Sequence, residues 1–538
     1  MPPISTEETP VVTAPPRVGA LEPLSIPVFR MLWSTWLLAN ICMWMNDVAA
    51  AWMMTTLNNS PIWVALVQSA STLPVFLLGL PSGALADILD RRRWLVATQF
   101  WLAGTAIVLC GAIVLDLITA PLLLLLTFAN GIGLAMRWPV FAAIVPELVP
   151  RPFLPAALGL NGIAMNASRI VGPLLAGFLI ASAGSVWVFA LNAVLCVASG
   201  FVVLRWRREH TPNPLGREKL VSAMRVGVQF VWQSQRMRAV LSRISIFFLH
   251  STALLALLPL LARGLTGGNA ATFTLLLAAM GSGAIVAVLL LPRLRQAMGR
   301  DALVLRGAIV QAAATAVMAW APNAWVAVPA MFMGGMAWIT TANSLSVSAQ
   351  LALPDWVRAR GMATYQMAIM GASAFGAALW GQVATISSLE TSLLIASVSG
   401  VLMMLLALRF VNDEQGEDDV SPAREGWAAG PPATRPEEEG RVVITIEYHI
   451  DPARAEAFKR VMEETRRVRL SQGAIEWALL HHVGEPSRFV EQIVDESWTE
   501  HLRRFGRATA ADIALRERRL AFHVGEGAPA VNRYIVQR

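Results

Sequence analysis

Gly83-Ala84-Leu85-Ala86-Asp87-Ile88-Leu89-Asp90-Arg91-Arg92-Arg93 links the end of one apolar run, residues 62–85, to the next, 95–115. Each flanking run has about the twenty residues a helix needs to cross roughly 30 Å of hydrocarbon. Three consecutive arginines cannot follow those flanks into lipid, so the segment between them must stay in water at one membrane face. Working outward, ten more runs of the same kind lie at 32–57, 122–141, 156–181 and 186–203, then at 240–261, 271–291, 303–321, 325–349, 362–386 and 393–411. Twelve runs in two sets of six predict an all-α polytopic membrane protein built from two six-helix pseudo-repeats. The N-terminal half spans 27–204, a middle loop 205–239 and the C-terminal half 240–411.

Composition agrees with this reading, since 538 residues that are 55% hydrophobic and 15% charged are too apolar for a soluble chain. The net charge of +7 is spread over short loops and not gathered on one face, which argues against nucleic acid as a partner. One set of alternate loops holds Arg91, Arg92, Arg93, Arg151, Arg205, Arg293, Arg295 and Arg358, while the opposite set holds essentially Arg263. That asymmetry predicts cytoplasmic termini and a cytoplasmic middle loop. Residues 1–26 read as a disordered cytoplasmic tail without the features of a signal peptide. Cys42, Cys110 and Cys196 all fall in apolar runs, without the spacing for a metal or the position for a disulfide, and no phosphate-binding loop occurs. No cofactor is expected.

Residues 150–177 match 354–381 at one constant offset, placing Gly172 on Gly376 and Gly177 on Gly381. Small residues there let helices approach closely around a central site. Two intramembrane charges stand out: Asp47 and Arg169, each about 24 Å along its helix from the cytoplasmic end. The offset puts Ser251 and Ser373 opposite them, so the scaffold does without the charges. Burying either alone costs about 3 kcal/mol, which calls for mutual pairing or a water-filled cavity. Coupling or substrate binding competes evenly with a static ion pair for their role. Arg137 is expected to snorkel to the cytoplasmic end of its helix, and His250 to be a packing histidine.

These residues carry a resemblance. The stretch with Gly83, Asp87 and Arg91 resembles the signature loop of the major facilitator superfamily. Gly159, Ser168, Gly172, Pro173, Ala176 and Gly177 resemble the glycine-proline motif of its drug and proton antiporters, with Ser168 and Ala176 replacing glycines. Together with Phe29-Arg30-Met31-Leu32-Trp33, they look like the enterobactin-exporter branch, the transmembrane secretion effectors, over residues 24–411. The resemblance implies a bacterial inner-membrane carrier exporting a drug, siderophore or secreted metabolite by proton antiport with alternating access. It also implies that Asp87 and Arg91 form a gating charge network, with Asp87 facing the helix that starts near Gly361. One departure is Thr127, which stands where the family places a proton-handling arginine before Gly131 and Gly133.

Abundant Met and Trp in the spans, such as Met43, Trp44 and Trp52, suit a plastic apolar cavity, though packing explains them as readily. Around Leu220, Met224, Arg225, Val228 and Val231 the middle loop reads as an interfacial amphipathic helix. An acidic, Pro- and Gly-rich linker, 412–440, leads to a last domain, 441–538, whose strand and helix order suggests a ferredoxin-like βαββαβ unit. That unit resembles the dimeric antibiotic biosynthesis monooxygenases, and for it dimerisation, cargo sensing and catalysis all stay open. His449, His481 and His482 are candidates for a polar cavity. A nutrient importer and a membrane-tethered enzyme are the alternatives to an exporter. Few polar groups in the spans, chiefly Asn40, Asn46, Asp47, Asn161, Asn166 and Arg169, would grip a polar nutrient, and an anchor needs only one span.

Overall fold

A computed structural model describes residues 19, 21–88, 90–206, 220–354, 356–410 and 440–537. Of the expected disordered tail 1–26, residues 1–18 and 20 lie outside the described residues, as do 412–439 of the linker, while Glu22–Ser25 form a short 3-10 helix with Pro23 buried. The first six helices are α1 (Pro27–Leu57), α2 (Pro61–Ile88), α3 (Arg91–Val114), α4 (Ala120–Leu148), α5 (Leu154–Ala183) and α6 (Ser185–Arg205). After α7 (Leu220–Gln233) come α8 (Gln235–Gly264), α9 (Ala270–Ala297), α10 (Arg300–Ala319), α11 (Ala324–Leu351), α12 (Arg358–Ile386) and α13 (Leu389–Phe410). Local chemistry fixes their starts. Pro27 and Pro61 open α1 and α2, where the missing N–H costs nothing, and the Asp90, Thr119, Ser234, Asn269 and Asn323 side chains accept from first-turn amides.

Eleven of the described helices are long and apolar enough to cross a membrane. The exception among the long ones is α1, whose 31 residues suffice in length but include Trp33, Trp36, Asn40, Trp44, Asn46 and Asp47. Two of its amides are used inside the bundle: Asn192 Nδ2 donates to Asn46 Oδ1 at 3.3 Å, and Asn40 Nδ2 donates to Trp36 O at 2.8 Å.

The repeat is visible in the packing. Gly172 on α5 leaves no room for a Cβ against Trp44 Cβ (2.5 Å) and Ile41 O (2.9 Å) of α1, while its counterpart Gly376 on α12 is pressed against Leu249 O of α8. Five residues on, Gly177 meets Thr274 of α9 and Gly381 meets Ala65 of α2. Each half is therefore closed by the first glycine and joined to the other half by the second.

The last residues form β1 (Val442–His449), α14 (Ala455–Ser471), β2 (Glu476–His481), β3 (Arg488–Asp495), α15 (Trp498–Phe505), α16 (Ala510–Leu520) and β4 (Ala530–Ile535). All pairings are antiparallel in the order β2-β3-β1-β4, with Ile444 opposite Ile493 and Tyr448 opposite Phe489. Phe458 and Met462 of α14 cover that face and close a small core with Tyr448 and Phe489.

Helix α7 forms where an amphipathic helix is expected, and it also has protein partners. Val226 and Val231 are buried, and Gly227 lies against Arg360 of α12. On its other side Arg225 Nη2 meets Glu496 at 3.0 Å and Gln229 Nε2 donates to Ala474 O at 2.8 Å. Part of its apolar surface, Val226 and Val231, is thus covered by protein while Val228 and Trp232 stay exposed, and it serves as the seat on which the sheet domain docks.

Candidate functional site

The buried apolar side chains show how the two halves meet. At the ends away from the arginine loops one core is shared by both, running from Met45, Met54 and Val64 through Ala253, Leu257 and Phe273. That end is also pinned by Arg263, which donates to Thr55 O at 2.9 Å and lies 4.8 Å from the Trp52 ring centroid. Trp52 in turn stacks on Phe273 at 5.4 Å. At the arginine-bearing end the core divides into two clusters, one within the first half around Phe29, Trp36 and Ile144, the other within the second around Phe248, Trp338 and Tyr365. Among the described residues the buried core is thus shared at one end and divided at the other.

A cavity of about 330 Å³ lies between them, lined from α1, α2, α4 and α5 of the first half and α8, α11 and α12 of the second. Asp47 and Arg169 both face it, as does Ser373, the counterpart of Arg169. They do not pair with each other. Among the described residues the Asp47 carboxylate makes no hydrogen bond or ion pair, and its Oδ1 is shielded from solvent. The Arg169 guanidinium is held between two aromatic faces, 4.4 Å from the Trp338 centroid and 5.4 Å from that of Trp44, with Nε unpartnered. Such contacts suit a cation in a partly desolvated site. Of the two ways to carry these charges, the static ion pair is absent and the cavity is present.

Reasoning from sequence missed part of the lining. Gln68 and Thr72 on α2, Asn343 and Ser346 on α11 and Gln366 on α12 add polar groups, and Trp338 brings the second half against Arg169. Of the polar residues singled out in the spans, Asn40, Asn46 and Asn161 do not line this space. The usable signal was polarity within apolar runs of α2, α11 and α12, but periodicity there did not select a face.

Among the remaining candidates, Gly83 and Asp87 lie in the last turn of α2, and the Asp87 side chain is outside the described residues. Arg91 opens α3, where the neighbouring Arg92 Nη2 donates to Leu204 O of α6. Pro173 is buried within α5 beside Gly172, whereas Gly159 has no atom near its missing side chain and is not a packing glycine. Arg137 does not snorkel. It is 1% exposed, 5.4 Å from the Trp36 centroid, with Nη2 donating to Ala39 O at 3.4 Å, because α1 covers that face of α4. His250 packs as expected, its Nδ1 2.7 Å from Ile246 O and its ring against Gly400. Thr127 bonds back to Leu123 O at 2.8 Å.

In the sheet domain the three histidines do not converge. His481 stacks on Phe489 and His482 accepts from Gly484 N, while His449, beside Glu447, lies at the same end of the sheet but across β3 from them. The interior instead holds Glu491, fully buried, accepting from Arg469 Nε (3.0 Å), Trp477 Nε1 (3.1 Å) and the Tyr448 hydroxyl (3.1 Å), with Arg519 at 3.7 Å. Burial by itself would raise this carboxyl, but Arg469 and Arg519 outweigh it and hold it down at about 2. No group of three or more metal-ligating side chains occurs among the described residues.

Comparison with known proteins matches residues 18–538 to the family described as transmembrane secretion effector. The chain belongs to the transmembrane secretion effectors. This family assignment spans the sheet domain as well as the helices. Among individual relatives of this secretion effector, the multidrug efflux pump Tap of Mycolicibacterium fortuitum is 25% identical over 377 residues, 67% of this chain and 90% of that protein. The staphyloferrin A transporter of Staphylococcus aureus is 21% identical over 258 residues, 48% of this chain but only 64% of the relative's length. The fold is similar to that of a bacterial homolog of the human lysosomal transporter Spinster, solved inward-facing and unoccupied, with a TM-score of 0.55 at 14% identity. That likeness covers 71% of this chain and 95% of the other. The secretion effector is thus a major facilitator transporter with multiple membrane-spanning helices.

Proposed function

We propose that this transporter exports a small hydrophobic or amphipathic molecule from a bacterial cytoplasm across the inner membrane, in exchange for protons. The observation that carries the reading is the unpaired Asp47 carboxyl in a cavity shared by both halves, close enough to Arg169 to line the same space yet not neutralised by it. A carboxylate left alone at this depth is costly to desolvate, whereas its protonated form is not. Proton uptake from outside lets the halves close over an empty site; proton release inside completes the exchange, and cargo binding itself does not need the Asp47 charge. Arg169, Trp44 and Trp338 form the cargo platform, with aromatic faces for an apolar body and a cation for an anionic group.

The split core supports alternating access, in which the cemented end and the parted end would exchange roles. Cytoplasmic termini, from the loop arginines, put the parted end inside the cell. The gating role proposed for Asp87 and Arg91 belongs to the same exchange, since both stand where α2 gives way to α3 at the parted end. A proton moving through about 100 mV supplies about 2.3 kcal/mol, roughly a fifty-fold gradient of cargo. Export is favoured over import by the efflux pump among the relatives and over enzymatic work by a family assignment built on transport. The sheet domain, whose strand order suits a ferredoxin-like unit, serves as an accessory module.

Uptake of a fluorescent amphipathic carboxylate into inverted vesicles with an acidic lumen tests this. Gradient-driven uptake is expected from the intact chain and from a chain ending after Gln415, and is expected to vanish in Asp47→Asn. Uptake by Asp47→Asn at the intact rate would remove Asp47 from the mechanism.

A further inference from the structure

A second cavity, about 450 Å³, lies where the sheet domain meets the arginine-bearing end of the helices. Its walls come from α7, the start of α8, the α11–α12 connection, α14 and α16, so neither the bundle nor the domain encloses it alone. The volume falls within the roughly 300–1,000 Å³ of small-molecule sites.

The lining is unbalanced in charge. Arg236, Arg238, Arg467, Arg507 and Arg518 face it, against two carboxylates among the described residues, Glu464 and Asp512. Both acids are already engaged: Glu464 pairs with Arg518, and Asp512 accepts from Gln472 Nε2 at 2.9 Å and from Thr509 N at 2.7 Å. Arg507 is met by Glu500 at 2.9 Å. Arg238 and Arg467 have no counter-charge among the described residues. The other side is apolar, with Phe230 and Trp356 edge to face at 5.6 Å and Leu515 completing the wall.

We propose that this cavity binds an anionic amphiphile, its phosphate or carboxylate between Arg238 and Arg467 and its aromatic or alkyl body on Phe230 and Trp356. Guanidinium groups suit both oxyanions. An anionic lipid headgroup and a soluble anionic metabolite share this chemistry. Either would tie the domain to the helices, because Arg238 belongs to α8 and Arg467 to α14.

The test uses the full chain in phosphatidylcholine nanodiscs, with 1-naphthyl phosphate titrated by calorimetry and 1-naphthol as the neutral control. Saturable binding of one equivalent is expected for the phosphate and not for the naphthol. Arg238→Ala with Arg467→Ala should weaken it about tenfold or more, the loss of one charge-assisted contact or better. Arg238→Lys with Arg467→Lys should retain most of it, and Arg460→Ala, on a face of α14 outside the cavity, should leave it unchanged. Nanodiscs containing phosphatidylglycerol separate the two sources: competition with naphthyl phosphate assigns the site to a lipid headgroup, and its absence to a soluble anion. No saturable binding, equal binding of naphthol, or full binding by the double alanine variant would overturn the proposal.

Discussion

Asp47 and Arg169 were legible in the sequence because an ionised group inside an apolar run is expensive enough to be rare, and their serine counterparts in the second half separated them from the scaffold. Trp338, Gln68, Asn343 and Gln366 were not, since aromatic and amide residues are common in spans and only the tertiary arrangement turns them toward one space. Arg137 was misread for a related reason: depth along its own helix says nothing about α1 lying over it. Replacing Trp338 with Leu removes the nearer aromatic face from Arg169, a contact worth about 0.5–2 kcal/mol, so cargo affinity should fall several-fold while protein yield holds. Half-saturation measured across a cargo series checks this; an unchanged value would remove Trp338 from the platform. In the sheet domain, Glu491→Gln leaves Arg469 and Arg519 buried without their acid and should cost about 3–5 kcal/mol. The pH response has a definite sign. Glu491 is held below its ordinary 4.5, so its contribution is complete above that value and disappears as pH falls toward about 2. Thermal unfolding of the domain at descending pH should show this loss in the parent and a flatter profile in the Gln variant.

At the scale of elements, the helices were readable because hydrophobic length and loop arginines are strong signals, and α1 alone among the long ones blurred them with its Trp and Asn content. The offset also anticipated a close approach at Gly172 and Gly376. It did not reveal the tightest crossing, where Gly335 of α11 and Gly283 of α9 are pressed onto Met280 O and Phe332 O of each other's helices. Ala at Gly335 must push the two backbones apart and should sharply reduce folded protein, while Ala at Gly159, which has open space around it, should be tolerated. Detergent-extracted yield by size-exclusion fluorescence separates these outcomes. For α7 the sequence carried the amphipathic pattern but not its partner, because lipid and a docked domain demand the same apolar stripe. The Arg225–Glu496 pair is about one-third exposed on both sides, so alone it is worth under about 1 kcal/mol. Removing it together with the Gln229 contact should raise hydrogen exchange across Leu220–Gln233, and unchanged protection there would show that other contacts seat the domain.

For the whole molecule, two-fold sequence periodicity predicted two halves, but not which end would be joined, since both ends are equally apolar and only packing distinguishes them. On the proposed reading, joined ends opposite the arginine loops, an unpaired carboxyl in the cavity and the aromatic faces around Arg169 belong to a carrier whose cycle needs a proton only for its empty return. Cargo-for-cargo exchange does not require that return. The most direct measurement therefore compares two modes in proteoliposomes for Asp47→Asn: counterflow, with cargo on both sides, and net transport driven by a pH gradient. Preserved counterflow with abolished gradient-driven transport is the predicted result. Loss of both modes, or retention of gradient-driven transport, would contradict the assignment of Asp47 as the proton carrier.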